Sequence, residues 1–251
     1  MLLRAVKIQV IERQYTISIV SHGHGAMIGH LLGDLACGDT GNMHIILTIN
    51  RPEDENFLAG LAGFDHQVIR NAAAKGFGAN HNAAFARSTG DVFVVLNPDV
   101  RLPADFSMDH FVERFAASGA GVCGPLVKSG TGSIEDSARR FPNPSRLMAR
   151  HLRGIRTRDY HATGSAVRVD WVAGIMLALR RDAFDQVGGF DERYFMYLED
   201  TDLCRRIARA GWSVTYDTKD AIIHDAQRAS HRQWTHIAWH VRSMLRFLIG
   251  R

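Results

Sequence analysis

Cysteine is scarce and scattered. The chain has three, Cys37, Cys123 and Cys204, far apart and without any CxxC spacing. That excludes a disulfide framework or a cysteine-ligated zinc site, and leaves buried, reduced thiols as the expectation. No apolar run approaches the roughly 18 to 20 residues that a membrane span needs. The first 14 residues alternate apolar and charged types and include Glu12, so they do not read as a secretory leader. Zinc-finger spacing and basic–aromatic repeats are both missing, so no nucleic-acid partner is expected. Internal repeats and low-complexity linkers are missing too. What remains is a cytoplasmic globular protein whose 251 residues suffice for one sizeable core.

Charge of one sign is concentrated rather than abundant. The formal net charge is only +4, but Arg139, Arg140, Arg146, Arg150, Arg153, Arg156 and Arg158 crowd one stretch. Arg228, Arg232, Arg242, Arg246 and Arg251 crowd the tail. Such clusters suit anionic lipid or phosphorylated substrates.

The first half alternates short strand-like and helix-like segments. Residues 15–20, 43–49, 65–70 and 91–96 read as strands, the last a near-continuous apolar run suited to burial on both faces. The loop Lys75-Gly76-Phe77-Gly78 opens a helix expected over 79–87. This rhythm implies an α/β fold with a mostly parallel sheet and right-handed crossovers. Ligands of such sheets bind at the carboxyl ends of the strands, where Ser21, Asn50 and Asn97-Pro98-Asp99 fall. In the second half, 128–163 reads as long loops with a short helix, and 181–187 as a short helix. A helix over 200–210 is stopped by Gly211, and two closing strands follow at 212–216 and 221–224. From 230 to 249, Trp234, Ile237, Val241, Leu245 and Leu248 recur at helical spacing.

Two motifs carry chemistry. Asn97-Pro98-Asp99 ends a buried strand, and one carboxylate beside substrate phosphate and water is how Mg²⁺ is commonly held. An ordinary strand-ending turn favours the same three residue types. Glu199, Asp200 and Asp202 crowd three carboxylates into four residues after an aromatic stretch. Like-charge repulsion makes such packing costly, so a general base is one reading and a helix N-terminus the other. Asp202 fits the helix-terminus role, Asp200 the base, and Glu199 stands beside it. His224, before Asp225, is either structural or a metal ligand beside Asp99. Asn71, Lys75, Gly76, Gly78, Asn80 and Asn82 form a loop of the kind that brings backbone N–H groups to phosphate or sugar.

The motifs in order resemble the family 2 glycosyltransferases. Ser21 comes first, then Asn71-x-x-x-Lys75-Gly76-Phe77-Gly78-x-Asn80-x-Asn82, then Leu96-Asn97-Pro98-Asp99 and Gly174. Gly188-Gly189-Phe190-Asp191-Glu192 and Glu199-Asp200-x-Asp202-Leu203-Cys204-x-Arg206 complete the series. The rhamnosyltransferase branch, with Asn-Pro-Asp in place of Asp-x-Asp, is the most similar. The resemblance implies a single GT-A domain over 1–251. Residues 15–125 would form the nucleotide-sugar half, 126–230 the acceptor half and 231–250 an amphipathic helix. It also implies inverting sugar transfer from a nucleotide-diphosphate sugar, best matched by dTDP-L-rhamnose, with a divalent cation, Mg²⁺ or Mn²⁺. Asp200 is implied as base with Glu199 beside it in the acceptor site, and Asp99 with His224 as metal ligands. Ser21, Asn50, Asn71, Lys75, Gly76 and Asn97 are implied as donor-binding residues. The acceptor would be a saccharide or a polyprenyl-diphosphate-linked saccharide of a bacterial surface polysaccharide.

The nucleotide half departs from the family pattern. The first strand ends Ser21-His22-Gly23 where Ser-Tyr-Asn is usual, and the second ends Thr48-Ile49-Asn50 where a base-reading Asp is usual. Glu53 or Asp54 are the candidates to replace that carboxylate. A UDP- or GDP-sugar donor therefore stays open, as does a non-catalytic nucleotide-sugar-binding protein. The C-terminal helix also keeps two readings. Its apolar stripe packs on the domain, or Trp234, Trp239 and the arginines rest on the inner face of the plasma membrane.

Overall fold

The computed structural model describes residues 15–143, 158–225 and 234–250. Arg146, Arg150, Arg153, Arg156, Arg228, Arg232 and Arg251 lie outside the described residues, as do the first 14. Four β-branched runs become parallel neighbours: β1 (Tyr15–Ser21), β2 (Met43–Ile49), β3 (Asp65–Arg70) and β4 (Val92–Leu96). Then follow β5 (Val100–Arg101), β6 (Val122–Ser129), β7 (Ala138–Arg139), β8 (Ala166–Arg168), β9 (Trp171–Val172), β10 (Met176–Arg180) and β11 (Val214–His224). The main sheet runs β3-β2-β1-β4-β10-β6-β11-β5, with β8 paired on β11. Strands β10, β5 and β8 run against the rest, so the sheet is mostly parallel.

Helices cover both faces, which is why the central strands are apolar on alternate sides. Helices α1 (Gly25–Leu35) and α3 (Met108–Ser118) pack on Ile17, Ile19, Ile45, Leu47, Val94 and Leu96. On the other face α2 (Phe77–Phe85), α4 (Arg181–Gln186) and α5 (Glu199–Arg209) pack on Ile46, Phe93, Val95 and Leu177. A final helix, α6 (Trp234–Ile249), follows β11.

Several elements differ from the sequence reading. Helix α2 begins at Phe77 rather than 79, because Gly76 ends the approach in extended backbone. The two expected closing strands are one, β11, whose register against β6 shifts between Asp217 and Ala221. That irregular, polar stretch is held by Arg114, which bridges Asp217 at 2.9 Å and Asp220 at 2.6 Å. Cys37 is exposed, while Cys123 and Cys204 are buried and free as expected.

One titratable core group bears on stability at acid pH. His81 of α2 is fully buried, with its Nδ1 2.9 Å from Ser18 Oγ of β1 and its ring edge-on to Phe77. Burial pushes its imidazole down to about 3, so it folds neutral. The unfolded chain takes up a proton below about pH 6.5, and the folded one does not until far lower. Stability from this site is therefore present above that value and lost as pH falls towards 3. By pH 4.5 the loss amounts to about 2–3 kcal/mol. A His81→Gln variant is expected to be less stable than wild type at pH 7 but to fall less steeply between pH 7 and 4.5 in denaturant titrations. Parallel acid limbs would show that His81 is not the group responsible.

Candidate active site

The carboxyl ends of β1 and β2 are tied by amides. Asn50, just past β2, is buried, and its Oδ1 accepts the N–H of Lys75 at 2.8 Å and Nδ2 of Asn71 at 2.9 Å. Its own Nδ2 donates to Lys75 O at 3.0 Å and lies 3.1 Å from His22 Nδ1. Asn71 Nδ2 also reaches Asn80 Oδ1 at 2.7 Å, and Asn80 donates to Gly76 O at 2.9 Å. Asn50, Asn71 and Asn80 thus fix the 71–76 loop. Ser21 is likewise internal, its Oγ accepting from the His24 N–H at 3.2 Å. Of the two substitutes for the missing carboxylate, Asp54 is engaged by Asn56 at 3.0 Å through both its oxygens. Glu53 sits at the mouth, accepting from the Gly23 N–H at 3.2 Å. Lys75 is exposed on that rim.

Helix α2 then docks on the loop leading to the acid cluster. Gly76 and Gly78 permit the approach, since added Cβ atoms would lie 2.7 Å from Phe195 O and 2.6 Å from Phe190 Cβ. The Phe77 N–H donates to Phe195 O at 3.0 Å. Asn82 clamps the main chain of Phe190 from both sides, accepting its N–H and donating to its carbonyl, each at 2.9 Å.

Asp99 follows β4 and meets the end of β11. Its Oδ2 lies 3.2 Å from His224 Nε2, and His224 Nδ1 lies 2.9 Å from Glu135 Oε2. Burial disfavours the imidazolium, but the hydrogen bonds and charges of Asp99 and Glu135 outweigh it and lift His224 to about 9. The other carboxylate oxygen of Asp99 is buried with no partner. Glu135 was not legible in the sequence, because it lies in a long aperiodic stretch far from either motif.

The two motifs meet at the turn between β9 and β10. The Asn97 N–H donates to Ile175 O at 3.0 Å, and the neighbouring Gly174 N–H donates to Asp200 Oδ2 at 2.9 Å. Asp200 Oδ1 accepts from the Thr201 N–H at 2.6 Å and the Thr201 hydroxyl at 3.2 Å. Its residue surface is partly open, yet its carboxylate is deeply surrounded by protein. Burial raises it above the usual carboxylate range, and the Gly174 and Thr201 hydrogen bonds restrain that rise. Glu199 is raised by burial and then by the charge of Asp200, and its Oε2 is buried without a partner. The two carboxyls therefore titrate as a pair. Asp200 holds the donors that favour the ionised form, and Glu199 is the better holder of the proton.

Asp202 is not a cap. No side chain caps α5, whose preceding residues Tyr197 and Leu198 take left-handed φ of 70° and 65°. Asp202 instead pairs with Arg205 at 2.9 Å and Arg206 at 2.7 Å. Arg206 also donates to Val187 O and Gly189 O, both at 2.7 Å, holding the glycine turn against the helix.

Comparison with known proteins shows the family and the fold. The family profile described as "Glycosyltransferase like family 2" matches residues 13–246. The chain belongs to that family. It is 31% identical over 257 residues to "N-acetylglucosaminyl-diphospho-decaprenol L-rhamnosyltransferase" of Mycobacterium tuberculosis, covering 92% of this chain and 83% of that one. It is also 31% identical to "Rhamnosyltransferase WbbL" of Escherichia coli, covering 92% and 91%. Among solved structures, GalNAc-T7 with UDP, GalNAc and Mn²⁺ superposes with a TM-score of 0.70 at 14% identity, over 93% of this chain. The chain spans about half (47%) of that structure. The mannosyltransferase PcManGT of Pyrobaculum calidifontis, with GDP-Man and Mn²⁺, gives 0.63 at 14% identity, over 93% of this chain and 64% of its own. These likenesses show the GT-A fold.

For this glycosyltransferase, the residues fit a divalent cation. No group of three or more His, Cys, Asp or Glu side chains is placed for an ion among the described residues. Two atoms could serve as ligands, however: the unpartnered Asp99 Oδ1 and, once deprotonated, His224 Nε2. Such sparse protein ligation suits an ion that keeps water and phosphate oxygens. Glu135 on Nδ1 would fix the tautomer and orientation of His224, the usual arrangement behind a ligating imidazole. Glu135→Gln keeps a hydrogen-bond acceptor but removes the charge. Its Mn²⁺ affinity, read by calorimetry or electron paramagnetic resonance, is expected to fall by about tenfold. Wild-type affinity would mean that His224 does not ligate through this relay.

Proposed function

We propose that this glycosyltransferase moves L-rhamnose from dTDP-rhamnose, with inversion, to a hydroxyl of a diphospholipid-linked saccharide in surface-polysaccharide synthesis. The two rhamnosyltransferase relatives, covered almost end to end, support the sugar, and the name of the mycobacterial one supports the acceptor. The observation that carries the mechanism is the β9–β10 turn, which joins Asp200 and the Asn97-Pro98-Asp99 motif through adjacent residues.

In this reading Asp200 accepts the proton of the acceptor hydroxyl while the oxygen of that hydroxyl bonds to the anomeric carbon. The bond from that carbon to the diphosphate breaks on the opposite face, and the nucleoside diphosphate leaves with the electron pair. A divalent cation, Mg²⁺ or Mn²⁺, held by Asp99 and His224 would supply charge neutralisation for the diphosphate. Glu199, protonated beside Asp200, offers a hydrogen-bond donor to the acceptor sugar. Lys75 and Asn97 remain donor-pocket residues. Ser21, Asn50, Asn71 and Gly76 shape that pocket from behind. Base reading at the altered nucleotide wall then falls to Glu53, His22 and Arg51.

Asp200→Asn is expected to lower kcat by about 10²- to 10⁴-fold while leaving dTDP-rhamnose binding intact. Wild-type kcat should rise with pH through a value above the ordinary carboxylate range, since an ionised base is required and burial raises this pair. Full transfer by the variant would remove Asp200 as the base. Preference for UDP-galactose, UDP-GlcNAc or GDP-mannose over dTDP-rhamnose in the same assay would overturn the donor, and no transfer from any of them would overturn the enzyme.

A further inference from the structure

Helix α6 carries apolar residues on the side away from the domain as well as towards it. Its inner face mixes polar and apolar contacts. His236 Nδ1 lies 2.8 Å from the Tyr197 hydroxyl, and Ser243 Oγ donates to Met196 O at 2.9 Å. Arg246 donates to Arg193 O. Trp239 lies against Phe195, and Phe247 is buried beneath the Arg205 guanidinium at 3.9 Å. Of the stripe that sequence periodicity singles out, Ile237, Val241 and Leu245 point the other way, joined by Ile249, while Leu248 is half-buried. Ile237, Val241, Leu245 and Ile249 are 48%, 54%, 55% and 80% exposed, one above another at four-residue spacing. The expectation that this stripe packs on the domain is therefore corrected. Trp239, offered from the sequence as a membrane contact, instead belongs to the inner face.

We propose that this outward apolar arc seats on an anionic bilayer surface, with α6 lying in the plane of the interface. Three observations favour lipid. The helix carries Arg242 and Arg246 and no Asp or Glu, so its charge complements an anionic headgroup layer. Arg242 and His240 are exposed and, at about 100° per residue, flank the arc on either side. No helix among the described residues is long and apolar enough to cross a membrane, so the arc lies on the surface rather than spanning it. Position gives the seating a purpose. The inner face of α6 holds Met196 and Tyr197, immediately before Leu198, Glu199 and Asp200. An arc embedded at the interface therefore sets the acceptor-side carboxyls where a lipid-linked diphosphate meets water. In that respect it rests on the acceptor proposed above, although the seating itself does not require it.

The test is co-sedimentation of the full chain with vesicles of phosphatidylglycerol and phosphatidylcholine, against phosphatidylcholine alone. Wild type is expected to bind the anionic vesicles, less so at high salt. The triple variant Ile237→Gln, Val241→Gln and Leu245→Gln is expected to lose about tenfold or more in partitioning. Its thermal unfolding and its transfer to a water-soluble acceptor should match wild type, since these side chains touch neither carboxyl. Failure of wild type to bind, or equal binding by the triple variant, would overturn the seating. So would a wild-type dimer that the triple variant converts to a monomer without any vesicle binding, because the arc would then be a subunit interface. Vesicle binding by a chain that transfers no sugar would uphold the seating and sink only the proposed reaction.

Discussion

Two adjacent backbone groups set the geometry of this glycosyltransferase. Gly174 gives its N–H to Asp200, and Ile175 gives its carbonyl to the Asn97 N–H. The acid cluster at the start of α5 is thereby referred to the strand end that carries Asp99. The turn is rigid because β9 and β10 flank it closely, and β10 is paired on both sides, to β4 and β6. A Cβ at position 174 would come within 3.3 Å of Phe77 and 3.6 Å of the Asp200 carboxylate, so a larger residue would press on both walls.

The same turn explains how two carboxyls tolerate burial side by side. Desolvation alone would neutralise both, and the N–H donors on Asp200 decide which one keeps its charge. Leu198 and Tyr197 cost on the order of 1 to 3 kcal/mol each in left-handed backbone, a conformation that persists only when its surroundings impose it. Here they are imposed on both sides. Helix α2 grips Phe190 and Phe195, and α6 grips Met196 and Tyr197. The acid cluster is held less by its own helix than by what packs on the loop before it.

Much of this was legible in the sequence, and the reasons for the rest are physical. Strands β2 and β3 begin and end where the sequence reading put them: β2 is a run of strand-forming residues with clear ends, while β3 is mostly polar and is held by its pairing on β2. The motif order pointed to the fold and family because those residues are local and contiguous. Glu135 escaped because its significance is a contact with His224 across 89 residues, which no local pattern encodes. The mutual hydrogen bonds of Asn50, Asn71 and Asn80 escaped because an amide shows its hydrogen-bonding capacity, not which partner fills it. Periodicity found α6, but it fixes only that an apolar stripe exists. Whether that stripe faces the protein or the solvent depends on tertiary packing. Asp202 lies in the first turn as read, but its carboxylate is taken by the arginines three and four residues on rather than by the helix end.

The central claim is that Asp99 and Asp200 stand on opposite walls of one cleft and act in a single displacement. Its most direct test is the anomeric configuration of the product, read by nuclear magnetic resonance from a reaction with dTDP-rhamnose and a diphospholipid-linked acceptor. Inversion relative to the donor is the expected result. Retention would require a second displacement and a nucleophile on the donor side, and would contradict the account.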